Sequence, residues 1–309
     1  MCFECDESNA SKPEVCDMNA PKMTSILVTG ASGQLGSRLE KLARSTTDVT
    51  LVGLTQQDLD VCDEKAVFEA LETHRPDVVI HAAAYTAVDR AESEEEAAHV
   101  VNGDAVSWVA HACKSVDATM IHISTDYVFG EVPREPLSPD TPTAPLGAYG
   151  RTKLAGEQAF LESGVHGAIV RVAWLYDADG HNFMNTMLRL AQTHGELRVV
   201  DDQHGVPTSV PVLADALLDM ARRGAEMPQG IWHYAHQGHT TWHGFATEIM
   251  RVAGMDVPVH PVSSDAYPTA AVRPSWSVLD GEPLRQKMGW PAIDWLEGLR
   301  RCWEFKKDV

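Results

Sequence analysis

From Ser25 onward, short apolar runs alternate with stretches whose apolar residues recur at helical spacing. The runs at 26–29, 50–54, 78–82, 120–124 and 168–172 have the length and composition of strands. The helical stretches open at Gly33, cross 63–73 and 89–114, and resume near Ala148. Such alternation marks parallel strands joined by crossover helices. The fold class expected is therefore α/β with a doubly wound parallel sheet. Past Trp174 the pattern breaks into a strand at 197–200, a helix at 210–222, a strand at 231–235 and helices near Trp242 and Ile293, so a smaller second lobe is expected there.

Residues 1–22 show no hydrophobic period and read as a loose extension. Their Cys2, Cys5 and Cys16 form a single C-x-x-C without a second pair, which is a weak metal or redox signal. Five prolines between 132 and 145 predict a stiff loop. Glu92, Glu94, Glu95 and Glu96 are expected to face water in the first turns of a helix, where acidic residues complement its dipole.

Composition narrows the picture. Lys and Arg number 25 against 44 Asp and Glu, a formal charge of -19, which argues against a nucleic-acid partner because that binding needs surplus cations. No apolar run is long enough for a membrane span, and the start lacks a basic and apolar leader. A cytoplasmic protein is expected. Six scattered cysteines fit a reducing compartment.

The run from Ile26 to Gly36 spaces glycines G-x-x-G-x-x-G directly after a strand and before an amphipathic helix. Gly30 permits a tight turn, Gly33 lets backbone N–H groups approach a diphosphate, and Gly36 lets the helix pack close. This is a dinucleotide site. The acid usual at the next strand tip is missing, since Thr55, Gln56 and Gln57 follow Leu54. Both NADPH and NADH are therefore admitted, with Arg38 or Arg44 in position to meet a 2'-phosphate. The chain divides into the 1–22 extension, a dinucleotide-binding Rossmann domain at 23–174, and 175–309, mainly a substrate-binding lobe with parts folding back on the sheet.

Tyr149 and Lys153 stand four residues apart at an expected helix start and so share a face. A free phenol has a pKa near ~10, and lowering it to about 7 takes ~4 kcal/mol, which a cation ~4 Å away supplies at moderate dielectric. Lys153 is expected to be that cation. Thr125, at the end of the fourth strand, would hold the substrate oxygen while Tyr149 donates a proton.

These motifs, together with Ala82-Ala83-Ala84-Tyr85-Thr86-Ala87-Val88-Asp89-Arg90-Ala91-Glu92, Ser124-Thr125-Asp126-Tyr127-Val128-Phe129, Tyr149-Gly150-Arg151-Thr152-Lys153-Leu154-Ala155-Gly156-Glu157, Arg171-Val172-Ala173-Trp174-Leu175-Tyr176 and Asp201-Asp202-Gln203-His204-Gly205-Val206-Pro207-Thr208, resemble the extended short-chain dehydrogenase/reductases. Within these, the chain is similar to the dTDP-4-dehydrorhamnose reductases over residues 24 to about 305. The resemblance implies NADPH- or NADH-dependent reduction of dTDP-4-dehydro-6-deoxy-L-mannose to dTDP-L-rhamnose by a monomer or homodimer. It assigns Thr125, Tyr149 and Lys153 to catalysis. The cofactor is assigned Gly30, Ser32, Gly33, Gln34, Leu35, Gly36, Asp60, Val61, Ala82, Ala83, Ala84, Tyr85 and Thr86, with Tyr149 and Lys153. Val88, Thr125, Asp126 and Trp174 would meet the sugar. Some members carry Asp where Thr55 stands, and some dimerise through a carboxylate-held metal at a position occupied here by Arg38. No resident metal is expected.

Arg273, in a Pro-flanked loop, is a candidate clamp for the substrate diphosphate. His233, His236, His239 and His243 raise a zinc site, but a strand followed by a turn would aim their rings apart. A non-catalytic regulatory subunit on the same fold, and an epimerase or reductase of another nucleotide sugar, are the alternatives.

Overall fold

The computed structural model describes residues 23–307, so the expectations for 1–22, including Cys2, Cys5 and Cys16, lie outside the described residues. The chain runs β1 (Thr24–Thr29), α1 (Gln34–Ala43), β2 (Val49–Leu54), α2 (Glu64–His74), β3 (Val78–His81), α3 (Val88–Ala91), α4 (Glu95–His99), a π-helical turn at Val100–Asp104 and α5 (Ala105–Ser115). It continues through β4 (Thr119–Thr125), a 3-10 turn at Asp126–Val128, α6 (Ala148–Ser163), β5 (Gly167–Val172), β6 (Leu175–Tyr176), α7 (Phe183–Thr193), β7 (Leu197–Val200), β8 (His204–Gly205) and β9 (Thr208–Ser209). The remainder is α8 (Val210–Arg222), β10 (Gly230–His233), β11 (Thr240–Thr241), α9 (Trp242–Ala253), β12 (Val259–Val262), α10 (Glu282–Met288) and α11 (Trp295–Lys307).

Six parallel strands form the main sheet in the order β10-β5-β4-β3-β1-β2. Because side chains alternate along a strand, Ile26 and Val28 pack on one face with Leu35, Leu39, Leu213 and Leu217 of α1 and α8. Leu27 packs on the other face with Val67, Leu71, Val106 and Val109 of α2 and α5. Burial on both faces explains the near-continuous apolar runs of these strands. A third core holds the second lobe together around Tyr176, Met184, Phe245, Ile249 and Trp295.

The chain leaves β1 for β2 on one side and then crosses to β3 on the other. The crevice between β1 and β3 is thus the topological switch point, where open α/β sheets bind ligands. Two expectations need correction. The helix expected across 89–114 is broken after Ala91 and again by the π-helical turn, where the Asn102 side chain bonds outside its own helix. The strand expected in the second lobe at 231–235 is β10, which lies at the edge of the main sheet beside β5. The proline-rich segment forms no helix, and Leu137 bridges to Leu279. Among the described residues no helix is long and apolar enough to cross a membrane.

Candidate active site

A cleft of 570 Å³ opens along the carboxyl ends of β1, β3 and β4. All the residues assigned to the cofactor line it, as do Val88, Thr125, Asp126, Tyr149, Lys153 and Trp174. Arg273 does not.

At its floor, Gly30 adopts φ +72°, which L residues rarely take. A Cβ there would lie 2.8 Å from the Ala83 backbone, and one at Gly36 would lie 2.4 Å from the Gly30 carbonyl. The turn therefore closes only with glycine. Gly33 caps α1 without a side chain, so the first amides of that helix are left to an incoming anion. Thr29 Oγ1 and His81 Nδ1, 2.8 Å apart, tie the ends of β1 and β3 beneath the crevice.

Lys153 is buried, and its ammonium donates to the Ile123 carbonyl at 2.8 Å with His122 Nε2 at 3.5 Å. Burial pulls its pKa down to about 8, against the opposing charge of Glu157. The Tyr149 phenol is pushed the other way, to about 12, by burial, with a hydrogen bond to Thr125 lowering it and the charge of Asp126 raising it. The expectation that Lys153 brings Tyr149 near neutrality is thus corrected. The groups acting on the phenol are Thr125 and Asp126, and the Lys153 ammonium, anchored by one N–H on the Ile123 carbonyl of β4, keeps its other donors for the cleft.

Asp126 is 2% exposed, accepts a hydrogen bond from Thr125 at 3.0 Å, and has its pKa raised to about 6 by burial. Trp174, at φ +50°, stacks face to face on Trp242 with ring centroids 3.6 Å apart. Gly205 makes room for that indole, since a Cβ there would lie 2.5 Å from its ring. Trp242 also lines a second cavity of 1180 Å³ with Phe183, Val199, Gln203, Tyr267 and Arg273. The two spaces adjoin across the stacked rings.

Arg273 sits at the rim of that second cavity and pairs with both carboxylate oxygens of Asp89, at 3.1 and 2.8 Å. Arg38 is corrected as a partner for a 2'-phosphate. It is buried, donates from Nε to Asp177 at 3.0 Å and lies over the Phe305 ring. Arg44 caps the far end of α1, away from the glycine turn, and lines no part of the cleft. The four histidines turn to separate partners: His233 to the Leu137 carbonyl, His236 to the Ser209 amide, His239 to the Trp276 ring and His243 to the Val259 carbonyl.

Several site residues carry no motif. Asn102 accepts from the Tyr85 amide at 2.9 Å and donates to Thr152 of α6 at 3.1 Å, joining cofactor wall to catalytic helix. The acidic cluster also does more than face water. Glu92 accepts from the Ala148 amide at 2.8 Å and so caps α6 from outside, where Gly147 offers no side chain, while Glu95 pairs with Arg151 one turn on. Glu92→Ala is expected to lower stability by ~0.5–2 kcal/mol, the worth of an N-cap, as read from the urea midpoint. Glu92→Gln keeps the acceptor and should recover most of it.

Residues 23–307 match the family described as RmlD substrate binding domain. A dTDP-4-dehydrorhamnose reductase of Streptomyces griseus is 47% identical over 84% of this chain and 89% of its own. One of Burkholderia thailandensis is 40% identical over 90% of this chain and 97% of its own. Among solved structures, the dTDP-4-dehydrorhamnose reductase of Bacillus anthracis in complex with NADP superposes with a TM-score of 0.86 at 35% identity, covering 92% of this chain and 99% of that one.

Proposed function

Because the chain belongs to the RmlD substrate binding domain family, we propose that it reduces the 4-keto group of dTDP-4-dehydro-6-deoxy-L-mannose to give dTDP-L-rhamnose, with Tyr149 as proton donor. It is an NAD(P)H-dependent oxidoreductase, and its cofactor is NADPH or NADH.

The observation that carries this reading is the meeting of Thr125, Tyr149 and Lys153 with the glycine turn in one cleft at the switch point. The glycine turn and the open end of α1 suit a diphosphate. Lys153 is aligned by Ile123 to reach a nicotinamide ribose, and the reduced nicotinamide, when bound, supplies hydride. Thr125 and Tyr149 hold the carbonyl oxygen and deliver the proton. Asp126, Val88 and Trp174 surround the sugar. The adjoining cavity, with its apolar wall and Arg273, has the space and chemistry for a nucleotide. On this reading residues 23–174 bind mainly cofactor and 175–309 mainly substrate, with β10 returned to the sheet.

Purified protein supplied with the keto sugar and either reduced cofactor should consume cofactor absorbance and yield dTDP-L-rhamnose by chromatography. No consumption with either cofactor on substrate that a known reductase accepts would refute the proposal.

A further inference from the structure

The stacked indoles between the two cavities point to a role for a residue that no motif marks, a role that rests on the reductase function proposed above. Trp174 stands between β5 and β6 with its backbone at φ +50°, a conformation that L residues rarely hold and that persists only where the surroundings fix it. Its carbonyl accepts from the Thr208 amide at 3.1 Å, but no hydrogen bond to a described residue fixes the indole. Packing holds the ring instead. Trp242 covers one face at a centroid distance of 3.6 Å, with 9° between the planes. Gly205 approaches so closely that a Cβ there would lie 2.5 Å from the indole.

Trp242 is itself anchored. It opens α9 directly after Thr241, whose hydroxyl accepts from the Gly244 amide at 3.0 Å and donates to Asp201 at 2.5 Å. The Trp242 indole N–H donates to Gln203 Oε1 at 3.2 Å, and Gln203 Nε2 donates to Ser264 at 2.9 Å. Phe183 packs on the same indole with centroids 4.6 Å apart, and stacks in turn on Phe245 of the second-lobe core. Trp242 is therefore fixed to the second lobe, whereas the ring it covers borders the cleft with Thr125, Tyr149 and Lys153.

We propose that Trp242 is a positioning residue for the reduction. Its indole holds the Trp174 ring in the place where that ring receives the 4-keto sugar, so the wall of the second cavity sets the seat of the sugar in the cleft. Trp242 lines the second cavity and not the cleft, so its effect on the sugar passes through Trp174. Rings in full face contact do not shift independently, because a gap of ~0.5–1 Å forfeits a quarter to a half of the dispersion attraction. With that face bare, the left-handed backbone of Trp174 relaxes and carries its ring out of line.

The test is a double-mutant cycle on the kinetics of the keto sugar. Trp174→Ala and Trp242→Ala should each raise its KM about tenfold, the order of one lost aromatic contact, with the KM for NADPH unchanged. The double variant Trp174→Ala/Trp242→Ala should be no worse than Trp174→Ala alone, since the ring through which Trp242 acts is already gone. Trp242→Phe, which keeps a flat face, should recover most of the loss. A merely structural defect lowers the active fraction, and so kcat, and leaves KM in place. Effects that multiply in the double variant overturn the proposal, because Trp242 then acts on the nucleotide directly, and an unmoved KM in Trp242→Ala overturns it as well. Should Trp242→Ala fail to bind NADPH by fluorescence titration, Trp242→Leu, which fills space beside Phe183 but offers no flat face, takes its place in the cycle and is read in the same way. Absence of turnover by the unaltered protein defeats the reductase reading and this inference with it, whereas turnover with multiplying effects defeats this inference alone.

Discussion

Tyr149→Phe is expected to lower kcat by about 10²–10⁴-fold, the usual worth of a positioned proton donor, with KM changed far less. The variant loses one oxygen. The ring that packs edge-on against Tyr127, with centroids 5.5 Å apart, is retained, and α6 keeps its cap at Ala148. The loss should therefore appear in the chemical step, because a contact made mainly in the transition state shows in kcat and kcat/KM together. Single-turnover consumption of reduced cofactor measures this directly, and an unchanged thermal midpoint shows that the fold is intact. A single-turnover rate within about threefold of the unaltered protein would assign proton donation elsewhere.

Glu157→Ala should cost about 3–5 kcal/mol of stability, the penalty for leaving a buried charge unpaired. Arg171 of β5 and Glu157 of α6 are each 2% exposed in their side chains and are bonded at 2.8 and 2.6 Å. Ser124 also donates to Glu157. Removing the carboxylate strands a guanidinium whose remaining partners are the Pro139 carbonyl, His233 and the face of Phe129. Urea denaturation followed by circular dichroism gives the difference. The double variant Arg171→Met/Glu157→Leu should be more stable than Glu157→Ala, because it removes both charges at once. A loss below about 1 kcal/mol in Glu157→Ala would mean that water reaches the pair.

The sheet and its first helices were legible because strands buried on both faces write their positions as unbroken apolar runs. The start of α2 was legible at Asp63, whose side chain accepts from the Ala66 amide. The glycine turn was legible for a similar reason, since backbone crowding at Gly30 and Gly36 admits no other residue. What stayed hidden depends on partners far away in sequence. Nothing local shows that Arg38 meets Asp177, that Asn102 reaches Thr152, or that the Lys153 ammonium is taken by Ile123. Helical periodicity likewise could not show the interruptions between α3 and α5. The second of them falls where Asn102 bonds to the Tyr85 backbone and α6 presses so close that a Cβ at Gly156 would lie 2.1 Å from the Asn102 carbonyl.

The sheet's last strand has a consequence for synthesis. β10 is drawn from residues 230–233, long after β5 has been made, and it pairs Arg171 with His233. Until that segment leaves the ribosome, β5 is an edge with unpaired amides and carbonyls, carrying a guanidinium meant for the interior. The nascent chain thus holds an open, adhesive margin while the segment from β6 to α8 is being translated. Closing it is a long-range event, slow by the standards of local helix formation. While the residues between Val172 and Gly230 are being added, the β5 margin is therefore the part of the sheet left open to wrong pairing.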